Sequence, residues 1–350
     1  MKVALVGFRG SGKTSVFNAL TGQSAETGFG KRKGHNLGRI EVPDERVDAL
    51  ARIYKPKKIT YAEIQFVDAA GPEEREGAQG SGLDSALVSA IRESDALVHV
   101  IRAFENPALS RAPDPAGDLA DFEAELILTD LMQIEKRTQR LKKEKRGPEL
   151  ELMEKLQAHL EKEQPLSRLA LSNEEQLACA GFAFLSAKTM LVVVNQSEDS
   201  IGTPLPAEFL EAAKARAVEV VALSAPLEAE IQAMEPDDQK AFLADLGLAE
   251  PVRPRFIRAA YDLMDLISFL TSGEDEVRAW SIRRGTSAKA AAGKIHSDIE
   301  RGFIRAEVTS YADFIALGSE AKVKEAGKLR LEGKDYVVQD GDIMHVRHSG

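Results

Sequence analysis

The sequence predicts an α/β chain: an open parallel sheet with helices on both faces, interrupted by a helical hairpin and followed by a smaller α+β unit. Three observations predict it. Short apolar runs (Val3-Ala4-Leu5-Val6, Ala96-Leu97-Val98-His99-Val100-Ile101 and Met190-Leu191-Val192-Val193-Val194) alternate with segments of helical period, as βαβ units do. Between residues 118 and about 165, apolar residues recur at steps of three and four, the stripe of two long amphipathic helices. From residue 268 onward, strand-like segments return around one helix candidate and carry no catalytic constellation.

The first apolar run leads into Gly7-Phe8-Arg9-Gly10-Ser11-Gly12-Lys13-Thr14 and then Ser15-Val16-Phe17-Asn18-Ala19-Leu20, whose spacing suits a helix. Strand, glycine-rich loop and helix with G-x-x-x-x-G-K-[ST] spacing make a Walker A phosphate loop. Glycines let the backbone turn tightly, so successive N–H groups can face one polyphosphate, and the following helix adds the positive end of its dipole. The expected nucleotide contacts here are Arg9, Gly10, Ser11, Gly12, Lys13, Thr14 and Ser15. Lys13 is the catalytic candidate, reaching the β- and γ-phosphates, and Thr14 is a candidate Mg²⁺ ligand through its hydroxyl.

Residues 27–38 are rich in Gly, Lys and Arg and read as a switch loop beside the phosphates. Pro43-Asp44 opens a helix through Val47, Leu50 and Ile53. The alternating strand Ala62-Glu63-Ile64-Gln65-Phe66-Val67 then delivers Asp68 in a D-x-x-G, Asp68-Ala69-Ala70-Gly71. An Asp at that edge holds Mg²⁺ directly or through water, and the Gly71 N–H can meet the γ-phosphate. A polar, glycine-rich second switch (residues 72–82) and a helix through Leu83, Leu87 and Ile91 follow. His99, in an otherwise apolar strand, reads as a satisfied core histidine and not a catalytic one.

Leu119, Phe122, Leu126, Ile127, Leu131, Ile134, Thr138 and Leu141 face one way, and Leu150, Met153, Leu156 and Leu160 resume the stripe after Gly147-Pro148. That predicts an antiparallel hairpin with a Gly-Pro turn. Lys136, Arg137, Arg140, Lys142, Lys143, Lys145 and Arg146 flank the turn, opposed only by Glu144, and are candidates for phosphate contacts with RNA. The strand at 190–194 ends in Asn195-Gln196-Ser197-Glu198, and Val218-Glu219-Val220-Val221-Ala222-Leu223 ends in Ser224-Ala225. Ligand loops of an open parallel sheet gather at the carboxyl ends of its strands, where all these motifs fall. Asn195, Gln196, Glu198, Ser224 and Ala225 are therefore the base-side candidates. The domain boundaries read as 1–117 and 181–267 for the nucleotide-binding part, 118–180 for the inserted hairpin and 268–350 for the last unit, with a helix over 288–299.

Composition narrows the partners. Over 350 residues the net charge is −10, so nucleic-acid contact must come from local basic patches, and DNA is not expected. A single cysteine, Cys179, rules out an intrachain disulfide and a multi-cysteine metal site. No stretch approaches 18 apolar residues, so no membrane span is expected, and the expected compartment is the cytoplasm.

With these motifs placed, the chain resembles the YchF/Obg-like ATPase family of phosphate-loop NTPases nearly end to end. The resemblance rests on Phe17-Asn18-Ala19-Leu20, Val42-Pro43-Asp44 with Asp48-Ala49-Leu50, Phe66-Val67-Asp68 with Gly71, and Ile91-Arg92-Glu93-Ser94-Asp95-Ala96. It continues in Val277-Arg278-Ala279-Trp280, Gly302-Phe303-Ile304-Arg305-Ala306-Glu307-Val308 and Tyr336-Val337-Val338-Gln339-Asp340-Gly341-Asp342. It implies a G-domain-like nucleotide fold, a C-terminal TGS-like β-grasp module, and ribosome or RNA binding through the hairpin tip (Lys142, Lys143, Lys145, Arg146) and that module.

GTPases of this class carry N-K-x-D where this chain has Asn195-Gln196-Ser197-Glu198. The longer Glu198 places its carboxylate differently, which resembles the form that accepts ATP. Three departures bear on rate: Arg9 in the phosphate loop, Arg32 where the first switch would offer a Mg²⁺-binding Thr, and Pro72 after the D-x-x-G, which cannot orient water. The expectation is a slow Mg²⁺-dependent ATPase switching on ribosomes or RNA. The alternatives are a GTPase of the same fold and a nucleotide-gated binding protein with negligible hydrolysis.

Overall fold

The computed structural model describes residues 1–27, 36–69, 83–144 and 147–349. In chain order the elements are β1 (Lys2–Val6), α1 (Lys13–Thr21), β2 (Asn36–Val42), α2 (Glu45–Tyr54), β3 (Lys58–Thr60), β4 (Ala62–Asp68), α3 (Ser85–Arg92) and β5 (Ala96–Ala103). Next come α4 (Pro115–Glu144), α5 (Gly147–Leu160), α6 (Asn173–Cys179), β6 (Thr189–Gln196), α7 (Ala207–Ala215), β7 (Glu219–Leu223), α8 (Ala225–Ala233), α9 (Pro236–Asp245) and α10 (Val252–Leu263). The chain closes with β8 (Leu266–Thr271), β9 (Glu276–Arg283), α11 (Ala288–Ile295), α12 (Ser297–Arg301), β10 (Phe303–Ser310), α13 (Tyr311–Leu317), α14 (Glu320–Glu325), β11 (Arg330–Glu332) and β12 (Asp342–His348).

Two compact units result: residues 1–39 with 65–259, and residues 40–64 with 260–350. The first holds a six-stranded sheet in the order β2-β4-β1-β5-β6-β7, with β4, β1, β5, β6 and β7 paired in parallel. Ala4, Val6 and Leu97 on one sheet face pack against Leu87 and Ile91 of α3 and Phe122 and Leu126 of α4. Farther along the same face, Ile101, Val192 and Val194 meet Phe209 and Ala213 of α7. Such fully buried β-branched strands need helices over them, which is why they read as continuous apolar runs.

The hairpin forms as the periodicity requires. Ile127, Ile134 and Leu141 of α4 close on Leu152, Met153, Leu156 and Leu160 of α5. Gly147-Pro148 does not form the turn, however. It opens α5, where proline's fixed φ and missing N–H suit the first helical turn. The root of α4 is fastened by buried carboxylates that periodicity leaves unmarked. Asp130 accepts from the Leu185 and Ser186 amides (2.9 and 2.7 Å) and the Ser186 hydroxyl (2.7 Å). Glu123 pairs with Arg168 (2.6 Å) and Arg216 (3.2 Å).

The second unit holds a mixed sheet in the order β11-β10-β12-β8-β9-β3. β12 runs parallel to β8, while β10–β12, β10–β11 and β8–β9 are antiparallel. Helix α11 covers one face with Ala288 and Ala291. Val47 and Leu50 of α2, with Phe314 and Val323, cover the other. Residues 40–64 thus differ from the boundary read in the sequence, which kept them with the phosphate loop. The amphipathic period of α2 reports a buried face and not which sheet buries it. The helix expected over 288–299 is likewise two helices, broken at His296, whose extended backbone ends α11 and whose side chain caps α12.

Candidate functional site

The phosphate loop is built by steric exclusion. Gly7 and Gly12 have φ of +140° and +83°, a region that side chains rarely adopt. A Cβ on Gly7 would strike the Val100 carbonyl, and one on Gly12 would strike the Asn195 amide. Gly12 is also the N-cap of α1 and provides no capping side chain. The first turn of α1, with Thr14 and Ser15, therefore presents backbone donors and the positive dipole end to an anion. Lys13 is 8% exposed, and its ammonium donates to the carbonyls of Gly7 (2.8 Å) and Phe8 (3.0 Å). The loop thus holds its own lysine beside the place where phosphates would lie.

β4 pairs with β1 in a register that sets Asp68 opposite Leu5, two residues before the phosphate loop begins at Gly7. Asp68 is buried, and its Oδ2 accepts from the Thr14 hydroxyl (2.9 Å) and from Asn36 Nδ2 (2.9 Å). A hydroxyl and a carboxylate oxygen are the hard donors Mg²⁺ takes. Their 2.9 Å spacing is close to the edge of an octahedron with bonds of ~2.1 Å. Among the described residues no group of three or more His, Cys, Asp and Glu could hold a metal by itself. The residues fit the ion. Gly71, Arg32 and Pro72 lie outside the described residues.

On the base side, Asn195 is 3% exposed at the end of β6. Its Nδ2 donates to the Ser11 carbonyl (3.1 Å) and its Oδ1 accepts from the Ala225 N–H (3.1 Å), tying the phosphate loop to the start of α8. Asn195 therefore acts as a brace, with one Nδ2 hydrogen left over. Gln196 is buried, and Glu198 is exposed on the turn that follows. The hydroxyls of Ser11 and Ser224 are buried without a hydrogen-bond partner among the described residues. Each is a polar group that a ligand could satisfy.

The sequence reading assigned nothing to the segment after β5, yet it rests on the phosphate loop. Asn106 Nδ2 donates to the Gly10 carbonyl (3.4 Å). Buried Arg102 holds the segment by donating to the carbonyls of Phe104 (3.1 Å), Arg111 (2.9 Å) and Ala112 (3.2 Å). Arg111 in turn donates to Asp118 in the first turn of α4, whose carboxyl burial pushes up to about 6. The available signal was Arg102, a cation ending a strand of buried residues. His99 lies in the core as expected but is not satisfied there: it is fully buried and stacks on Phe122 at 4.4 Å, and neither ring nitrogen has a hydrogen-bond partner among the described residues. Burial, with the nearby Lys13 charge, pushes its pKa down to about 3.

Residues 2–140 match the family described as 50S ribosome-binding GTPase, and residues 266–349 match YchF-GTPase_C, described as a protein of unknown function. The chain is 41% identical over 359 residues to the ribosome-binding ATPase YchF of Pasteurella multocida, covering 99% of this chain and 98% of that one. The chain belongs to the YchF family. It is 38% identical to the ribosome-binding ATPase YchF of Bacillus subtilis, covering 99% of each chain. The solved Schizosaccharomyces pombe YchF GTPase superposes with a TM-score of 0.85 at 30% identity, covering 99% of this chain and 97% of that one. The fold is the phosphate-loop GTPase domain with the C-terminal YchF domain.

In this YchF chain the basic hairpin is less bare than its sequence suggests. Arg137 pairs with Glu149 and Lys142 with Glu154 (3.0 Å), both carboxylates supplied by α5, and Arg140 pairs with Glu144 (2.7 Å). Lys143 is exposed, while Lys145 and Arg146 lie outside the described residues. Among the described residues no helix is long and apolar enough to cross a membrane.

Proposed function

We propose that this YchF-family chain is a Mg²⁺-dependent ATPase of low intrinsic turnover that acts as a nucleotide-controlled switch on the ribosome in the cytoplasm. The observation that carries the reading is the placement of Thr14 and Asp68, 2.9 Å apart, beside a glycine-formed loop that already holds Lys13. Thr14 and Asp68 would hold Mg²⁺, which when bound neutralises charge on the β- and γ-phosphates. Asn36 fixes the Asp68 carboxylate, and Lys13 stabilises phosphate charge from the loop side. Backbone N–H groups of residues 10–15 cradle the phosphates.

Slow turnover follows from three residue types in the sequence of these motifs. Pro72 has no group to orient the attacking water, Arg32 cannot ligate a cation, and Arg9 brings a guanidinium to the γ-phosphate side. The ATP preference rests on Gln196 and Glu198 in place of Lys and Asp. Asn195, already bonded at both ends of its amide, leaves base choice to them. The names of the Pasteurella and Bacillus relatives support ATPase and ribosome binding. A GTPase is the second reading, favoured by the description matched over residues 2–140. The ribosome or RNA contact is assigned to the hairpin tip around Lys142 and Lys143, extending to Lys145 and Arg146, and to the C-terminal unit.

Single-turnover hydrolysis of bound ATP tests the reading. The expected result is slow, Mg²⁺-dependent hydrolysis, reduced about 100-fold or more by Asp68→Ala, and faster in Arg9→Pro and Arg32→Thr. No detectable hydrolysis in any of these proteins would leave a nucleotide-gated binder instead.

A further inference from the structure

Asn36 opens β2, the edge strand beside β4, and its side chain reaches across to the carboxylate that ends β4. Its Nδ2 donates to Asp68 Oδ2 at 2.9 Å, the same oxygen that accepts from the Thr14 hydroxyl. A carboxylate accepts, and only the NH₂ end of an amide donates, so this contact fixes which way round the amide sits. Oδ1 is left as an acceptor with no partner among the described residues.

The backbone next to Asn36 is held by other contacts. Gly38 is buried, and a Cβ there would come within 2.6 Å of Thr21 Cγ2 and 2.9 Å of the Phe17 ring. Glycine thus lets β2 lie close against α1, the helix that begins at the phosphate loop. On the exposed side, Gln23 Nε2 donates to the Leu37 carbonyl (3.1 Å). Residues 37 and 38 therefore set where the strand starts, and the Asn36 side chain is left to serve the site.

Three oxygens of different kinds are thereby gathered: the Thr14 hydroxyl, the Asp68 carboxylate and the Asn36 amide carbonyl. All are hard donors, the set that Mg²⁺ and Mn²⁺ take. A carbonyl oxygen can take only a cation or an N–H or O–H donor, so a phosphate oxygen is not its partner. Its neighbours, a hydroxyl and a carboxylate, are themselves cation ligands, which selects the cation. The sequence adds a reason. Arg32 stands where a first switch would offer a Mg²⁺-binding hydroxyl, and Asn36, four residues on, returns an oxygen to the ion. We infer that Asn36 is a metal ligand: its Oδ1 enters the coordination sphere of the Mg²⁺ held with the nucleotide, while its Nδ2 keeps the Asp68 carboxylate in place. The inference rests on the reading of Thr14 and Asp68 as the Mg²⁺ site. It goes further in making the start of β2 part of the metal centre, so that loading the ion ties β2 to the phosphate loop.

Mn²⁺ takes the same oxygen ligands and is paramagnetic, so it reports both affinity and neighbours. The test titrates the full chain with Mn²⁺ in the presence of a non-hydrolysable ATP analogue and reads free Mn²⁺ by electron paramagnetic resonance. Asn36→Ala is expected to weaken Mn²⁺ ~10–100-fold, the loss usual when a group supporting a metal site is removed. Asn36→Asp removes the donor to Asp68 but keeps an oxygen, and is expected to bind Mn²⁺ at least as tightly as wild type. An Asn36→Asp chain as weak as Asn36→Ala would show that the amide serves only as a donor to Asp68, and would overturn the inference. The second readout is electron–nuclear double resonance on chain whose asparagines are isotope-labelled at the amide carbon. Bound Mn²⁺ is expected to couple to one such carbon in wild type and to lose that coupling in Asn36→Ala saturated with Mn²⁺. No coupling in wild type with Mn²⁺ bound would equally overturn it. The two readings fail separately. If Mn²⁺ binding is lost in Asp68→Ala but unchanged in both Asn36 variants, only the ligand assignment falls. If Asp68→Ala and Thr14→Ala leave Mn²⁺ binding unchanged, the site is misread and both fall.

Discussion

Lys13 and His99 lie close together and show two outcomes of burying a nitrogen base. The Lys13 ammonium donates to two loop carbonyls. His99, with no partner, gives its charge up. The sign of the pH effect follows. Its folded pKa, about 3, lies below the unfolded value of 6.5, so below pH 6.5 the unfolded chain binds the extra proton and stability falls as pH falls. The loss should be about 1.4 kcal/mol per pH unit from this one group. Urea unfolding of His99→Phe should match wild type at pH 7 within ~1 kcal/mol, since an apolar ring leaves no unpaired nitrogen. Its stability should then decline less steeply between pH 6 and 4. Gly12→Ala is predicted to lose nucleotide affinity with little change in expression, because its Cβ meets the Asn195 brace. Nucleotide titration checks it. The glycines and Lys13 were legible because the spacing that marks them falls within eight consecutive residues. Asn36 and Asn106 were not, since they meet Asp68 and Gly10 across 32 and 96 positions.

The elements show the same division between local pattern and distant partner. The stripe of α4 and α5 was readable because period alone determines which side of a helix is apolar. Asp130 and Glu123, in the same helix, are buried fasteners that the period does not mark, since a carboxylate in sequence does not reveal the partners it will meet. Asp130→Ala would strand the buried Leu185 and Ser186 amides and should cost about 3 kcal/mol. Thermal unfolding would register it as a lower Tm with ATP affinity retained. An unchanged Tm would mean that the root of the hairpin is held by apolar packing alone. Helix α2 and β3 carry the sharpest lesson. The period of α2 was read correctly and β3 was not read at all, and the sheet that receives both is decided by contacts such as Lys58 opposite Glu276 and Thr60 opposite Arg278, more than 200 residues away.

For the whole molecule, the net charge of −10 coexists with local cationic sites at the phosphate loop and the hairpin tip. A chain that repels polyanions in general can still bind them where the backbone or a hairpin tip concentrates positive potential. The YchF family assignment and the geometry of the first unit agree on a nucleoside triphosphate as ligand, so the central claim concerns which one. Calorimetric titration of ATP and GTP in the presence of Mg²⁺, on wild type and on Gln196→Lys with Glu198→Asp, measures it directly. The account predicts that wild type binds ATP more tightly and that the double variant shifts toward GTP. Equal or GTP-favouring affinity in wild type would contradict it and leave a GTPase on the same fold.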